Sequence, residues 1–153
     1  MIQRLAIFTL LAMAASCAPD PAPLTEVLNP TGVSVHAVVG ESEPGATKYA
    51  LGDSSVYLAS PEPFQFSRLF KSADDRGRLA IGFSIVKEDQ ERFEAWTTLL
   101  TGSRMAVVIG DRVITAPTIN DPLRTGGQIT GGNEGFTDEE VQSMLQSMVS
   151  APE

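Results

Sequence analysis

Arg104-Met-Ala-Val-Val-Ile109, Gly110-Asp111 and Arg112-Val-Ile-Thr-Ala116 before Pro117 make up the stretch on which the fold turns. Both apolar runs are short and rich in β-branched residues, and the residues between them suit a tight turn. Gly110 can supply positive φ and Asp111 tolerates left-handed geometry, so the stretch reads as a β-hairpin. Gly126-Gly-Gln-Ile-Thr-Gly131 follows as a glycine-bounded short strand, and Gly132-Asn-Glu-Gly135 as a loop. Thr137 with Glu140 then forms a capping box, and Phe136 with Val141 takes the positions of a hydrophobic staple. Val141, Met144, Leu145 and Met148 make one apolar stripe of the helix so begun.

Upstream, Val33–Val39 reads as a strand partly buried on both faces. Thr47 to Ala59 reads as a hairpin around Gly52-Asp53, with Val56-Tyr-Leu58 its better strand. Pro61-Glu-Pro63 interrupts regular structure. Phe64, Phe66, Leu69 and Phe70 follow at mixed spacing, which predicts a short helix over Ser67–Ala73. The phenylalanines are read as core residues, with an aromatic binding patch as the alternative. Leu79–Ile85 alternates apolar and small residues as a central strand does. Glu88–Leu100 is a helix with Phe93, Trp96, Leu99 and Leu100 on one face, stopped by Gly102. Together these elements predict an α+β fold with helices on one face of a largely antiparallel sheet.

The series Met105–Ile109, Val113–Pro117, Gly127–Gly131 and Phe136-Thr-x-Glu-Glu140 resembles the head of the first periplasmic domain of SecD, the protein-export translocase accessory subunit. The resemblance extends upstream through Phe83-Ser-Ile85, Phe93 and Thr97 to Gly102. It departs from the usual pattern in a Gly-Asp rather than Asp-Gly turn, a longer loop after Gly131, and Val141 where alanine is usual. It implies a ferredoxin-like head, no catalytic motif, and a domain that contacts exported polypeptides or translocase components. The parts of SecD that carry its proton-driven work are transmembrane and are not matched here.

At the other end, Met1–Arg4 carries one positive charge, and Leu5–Ala15 is apolar but short for a membrane span. Residues 1–16 read as a signal peptide. Ala14-Ala-Ser-Cys17 resembles the bacterial lipobox and makes Cys17, the only cysteine, the expected lipidation site. An ordinary signal peptide cleaved near Ser16 is the alternative. Two or three acyl chains on one cysteine anchor stably, each buried methylene contributing about 0.8 kcal/mol. The proline-rich stretch after it predicts a tether over residues 17–32 and a single folded domain over 33–150. Ala18 directly after the cysteine implies, by the lipoprotein sorting pattern, the periplasmic face of an outer membrane.

The formal net charge is −8, and −9 once Arg4 leaves with the signal peptide, which disfavours phosphate backbones and anionic lipid surfaces as partners; no nucleic acid is expected. His36 stands beside no placed nucleophile and is given no role. Asp74-Asp75 lacks the alternating oxygen ligands and closing glutamate of a calcium loop, so no metal or cofactor is expected, nor an enzyme. Ile119 and Leu123 ride on a proline- and glycine-bounded loop. Either they fold back over one end of the core or they form a partner contact between Thr115 and Gly127. The function expected is a membrane-tethered extracytoplasmic binding module. The alternative is a structural envelope lipoprotein that binds another envelope component.

Overall fold

A strand with apolar residues on both sides needs a layer on each side, and the Met105–Ile109 run has both. In the computed structural model, which describes residues 22–149, it forms β7, with every residue buried. Met105, Val107 and Ile109 enter a large core, while Ala106 and Val108 face a smaller one. The hairpin partner β8 (Arg112–Thr115) pairs Arg112 with Ile109 across the two-residue turn, where Gly110 has φ 63°.

β7 lies inside a five-stranded antiparallel sheet of order β3-β4-β2-β7-β8, in which β2 is Val33–Val39, β3 Thr47–Leu51 and β4 Ser54–Leu58. Its end strands β3 and β8 approach with Cα atoms within 8 Å, so the sheet curls around the small core of Val56, Leu58, Ala106, Val108 and Ala116. A second antiparallel sheet has the order β1-β5-β6-β9, with β1 Glu26–Leu28, β5 Phe66–Ala73, β6 Leu79–Ile85 and β9 Gly126–Thr130. One face of it carries Val27, Leu69, Ile81, Phe83 and Ile129 into the large core. There it meets α1 (Gln90–Leu99) and α2 (Asp138–Val149), which contribute Phe93, Val141, Leu145 and Met148.

The α+β class and the antiparallel pairing are as expected, but the strands divide between two sheets. Partner choice between strands is non-local and leaves no mark in a single run of sequence. The α2 cap also forms: Glu140 N–H donates to Thr137 Oγ1 at 3.2 Å, and Thr137 N–H donates to the Glu140 carboxylate at 2.8 Å.

Three local expectations are corrected. Ser67–Ala73 is strand, not helix. A register shift between Phe66 and Arg68 turns both Phe66 and Leu69 inward, and this bulge imitates the three-residue spacing of a helix. Phe70 points to the opposite face, where its ring fills the space over Gly82 that a Cβ would occupy, and the Arg68 guanidinium lies 4.5 Å from its centre. The folded part also begins before Val33, because β1 pairs with β5 inside the stretch expected to be tether. Finally, the buried line of α1 runs through Phe93 and Thr97, which leaves Leu99 83% exposed and Trp96 half-buried against Phe64. The signal peptide and Cys17 lie outside the described residues.

Candidate functional site

β8 and β9 are end strands of different sheets, and the chain between them carries both residues singled out from the sequence. Pro117 O accepts from Met105 N–H, and Ile119 is tied on both sides, its N–H donating to Ser103 O and its carbonyl accepting from Gly102 N–H, each at 2.8 Å. Ile119 is therefore only 5% exposed and sits in the large core. Leu123 is half-buried against the same core. Its N–H donates to Thr97 Oγ1 at 2.9 Å, and the buried Thr97 hydroxyl has Leu123 O and Phe93 O within 3.1 and 3.0 Å. Burial and bonding support the reading in which both side chains fold back over one end of the core.

They also wall a hollow of about 270 Å³, lined by Phe83 of β6, Met105 and Val107 of β7, Thr115 of β8 and Gly127 to Ile129 of β9. The hollow lies beside β9, an end strand whose only ladder partner is β6, and an unpaired strand side offers main-chain N–H and C=O groups. Gly127 keeps that wall thin, since a Cβ there would stand 3.0 Å from the Phe83 ring. The sequence marked the loop but not Phe83, Met105 or Val107, because an apolar strand residue gives no sign that its sheet ends beside it. A second depression, about 420 Å³, lies between β8 and α2, lined by Leu51, Ile114, Phe136, Glu139 and Met144.

The remaining candidates have structural partners. His36 Nδ1 lies 2.8 Å from Ala59 O, an acceptor only, so that nitrogen carries the proton, and Nε2 accepts from the Ser34 hydroxyl at 2.9 Å. This side chain is buried. Asp74 closes the β5–β6 turn by accepting from Arg76 N–H, Arg78 N–H and Arg78 Nε. The Arg78 side chain is the first cause that holds the Asp74 carboxyl below its usual range. Phe64 and Phe66 are buried and Phe70 is on another face, so the three phenylalanines form no common patch. Among the described residues no group of three or more His, Cys, Asp or Glu side chains could hold a metal ion. No helix among them is long and apolar enough to cross a membrane.

The sequence profile of the SecDF P1 head subdomain matches residues 65–148, from just before β5 to the end of α2 and more than half of the chain. The chain belongs to the SecDF P1 head subdomain family. SecD of Aquifex aeolicus is 32% identical over 75 residues, which is 49% of this chain and 14% of that protein. SecD of Acetobacter pasteurianus is 27% identical over 144 residues, covering 84% of this chain and 28% of the relative. The chain thus spans well under a third of the length of these SecD proteins. A crystal structure of SecDF in the super-membrane-facing form covers 84% of this chain and 20% of its own, at a TM-score of 0.49 and 20% identity. Strands β1 to β4 lie outside the residues matched by the head profile.

Proposed function

We propose that this chain is a SecD-head-like binding module, held on the extracytoplasmic side of a membrane by lipid on Cys17, that contacts exported polypeptides or translocase components without catalysis. Membership of the head family supports the connection with export. The observation that carries the contact reading is the apolar hollow beside β9, an end strand with a ladder partner on one side only. An extended client can add main-chain hydrogen bonds to a strand side with little sequence preference, while a hollow takes one or two apolar side chains. Ile119 and Leu123 contribute as walls of that hollow rather than as protruding anchors. The outer-membrane destination suggested by Ala18 is part of the same proposal.

Photo-crosslinking in cells from a reactive residue at Thr118 or Asn120, with the captured protein identified by mass spectrometry, tests the contact. An exported polypeptide or a translocase subunit is the expected catch. A single envelope protein with no connection to export supports the structural lipoprotein instead. Anchoring is tested separately by Cys17→Ser, which is expected to move the protein out of the membrane fraction. If the Cys17→Ser chain stays with the membrane after a salt wash, lipid is not its anchor.

A further inference from the structure

β1 sits at the opposite end of the four-stranded sheet from the hollow, and it is held there much as a ligand is. Its ladder with β5 pairs only Glu26 with Phe70, Val27 with Leu69 and Leu28 with Arg68, extended by Lys71 N–H to Thr25 O and Asn29 N–H to Ser67 O. Pro23 and Pro30, which have no N–H to donate, flank the segment. α2, which packs over this face of the sheet, also reaches the segment, and its Gln142 amide pairs with both backbone groups of Leu24. Leu24 N–H donates to Oε1 at 2.8 Å, and Nε2 donates to Leu24 O at 2.6 Å. Val27 is fully inserted in the core and Leu24 packs on it in part, whereas Leu28 is 67% exposed on the other face. The segment leaves through Asn29 at φ 47°, the only positive φ at a non-glycine among the described residues.

We propose that the channel between the outer side of β5 and α2 is a binding groove for an extended polypeptide segment with branched apolar side chains three residues apart, and that Leu24–Leu28 is its resident, displaceable occupant. The groove has the three parts such recognition needs. The β5 side supplies main-chain pairing, the slots for Leu24 and Val27 set the apolar spacing, and Gln142 reads backbone rather than side chain, so it accepts any sequence. β5 and α2 belong to the residues that define the head, whereas the strand that fills the channel does not. The resident strand acts at high effective concentration because it is tethered, so an incoming segment binds appreciably only when β1 is weakened or drawn away. This groove rests on the reading of the domain as one that contacts polypeptide, but it is separate from the hollow at β9.

A fluorescent peptide copying residues 22–30, added to the full chain, tests the groove directly. Val27→Asp puts a charge in the resident strand's buried slot and is expected to raise affinity for this peptide at least tenfold over the parent chain. The peptide carrying the same aspartate is expected to gain nothing. If V27D does not fold, the milder Leu24→Ser with Val27→Ala takes its place. Adding Leu28→Cys and Arg68→Cys, in a Cys17→Ser background, joins β1 to β5 at a paired position. Oxidation of that pair is expected to abolish the gained binding, and reduction to restore it. The proposal is overturned if neither weakened chain binds the peptide better than the parent, or if the oxidised pair binds as well as the reduced one. Crosslinking from Thr118 is unaffected by either result, so failure of the groove and failure of the hollow are told apart.

Discussion

The two cores on either side of β7 differ in size, yet each contains one buried polar side chain, and the two do the same job. In the large core Thr97 holds Leu123, on the connection that carries the chain from β8 to β9. On the small-core side His36 holds Ala59, at the start of the connection from β4 to β5. Both connections pass from the five-stranded sheet to the four-stranded one. A crossing segment leaves ladder pairing in one sheet before it gains it in the other, so its backbone groups need partners from elsewhere. A buried hydroxyl and a buried imidazole supply them. The two sheets are therefore joined by apolar packing and also by polar clamps at two of the four places where the chain changes sheets, the two that lead from the five-stranded sheet to the four-stranded one.

The difference in size is the easiest part of this comparison to break. Leu145 and Leu58 are both buried to within 1% of complete, one in each core. Leu145 is fully buried in the core to which both sheets and both helices contribute, a packing that resists closing in when it is shortened. Leu58 lies within a curled sheet whose edges β3 and β8 meet without ladder pairing, a structure better able to relax. Leu145→Ala is expected to cost about 4 to 5 kcal/mol, and Leu58→Ala about 2 to 3, the two ends of the range for buried leucines. Chemical denaturation of both variants measures this. Equal losses would show that the small core is as rigid as the large one.

The clamps give the next largest effect. Thr97→Val keeps the volume but removes the acceptor for Leu123 N–H. His36→Leu likewise leaves Ala59 O without its side-chain donor. Each is expected to cost about 1 to 3 kcal/mol, the usual penalty for orphaning a buried polar group. The sharper readout is local. Thr97→Val is expected to speed hydrogen exchange at Leu123 and leave Ala59 unchanged, and His36→Leu the reverse. Coupled acceleration at both sites would mean that the two crossings open as one unit.

What was legible in the sequence follows from how local each cause is. The β7–β8 hairpin, its two-residue turn and the Thr137–Glu140 box were readable because each is specified within a few adjacent residues. β5 was misread because a bulge at Ser67 turned strand spacing into helix spacing, and only the partner strand reveals a bulge. β1 was missed because a three-residue strand between prolines has too few positions to show alternation, and its partners are some forty residues away. For the candidate site, Ile119 and Leu123 were found as apolar residues on a constrained loop. The walls they complete come from four strands, and the sequence places no mark on a strand that ends a sheet.

The smallest effect concerns the β5–β6 turn, which lies away from both crossings and shows what an ordinary surface connection contributes. Asp74 accepts from two main-chain N–H groups and from the Arg78 guanidinium, and its carboxyl is held below its usual range, first by the Arg78 side chain. A depressed folded-state value means that the unfolded chain binds the proton more readily. The stabilisation is then fully present above the unfolded value, near 4, and fades as pH falls through the lower folded value. Asp74→Asn is therefore expected to lower the melting temperature slightly at pH 7 and to make the variant less acid-sensitive than the parent below about pH 4. Melting curves at pH 7, 4 and 3 check both parts. If the difference between parent and variant is the same at all three, the ion pair contributes nothing, and Asp74 acts only as an uncharged acceptor for the turn's two N–H groups.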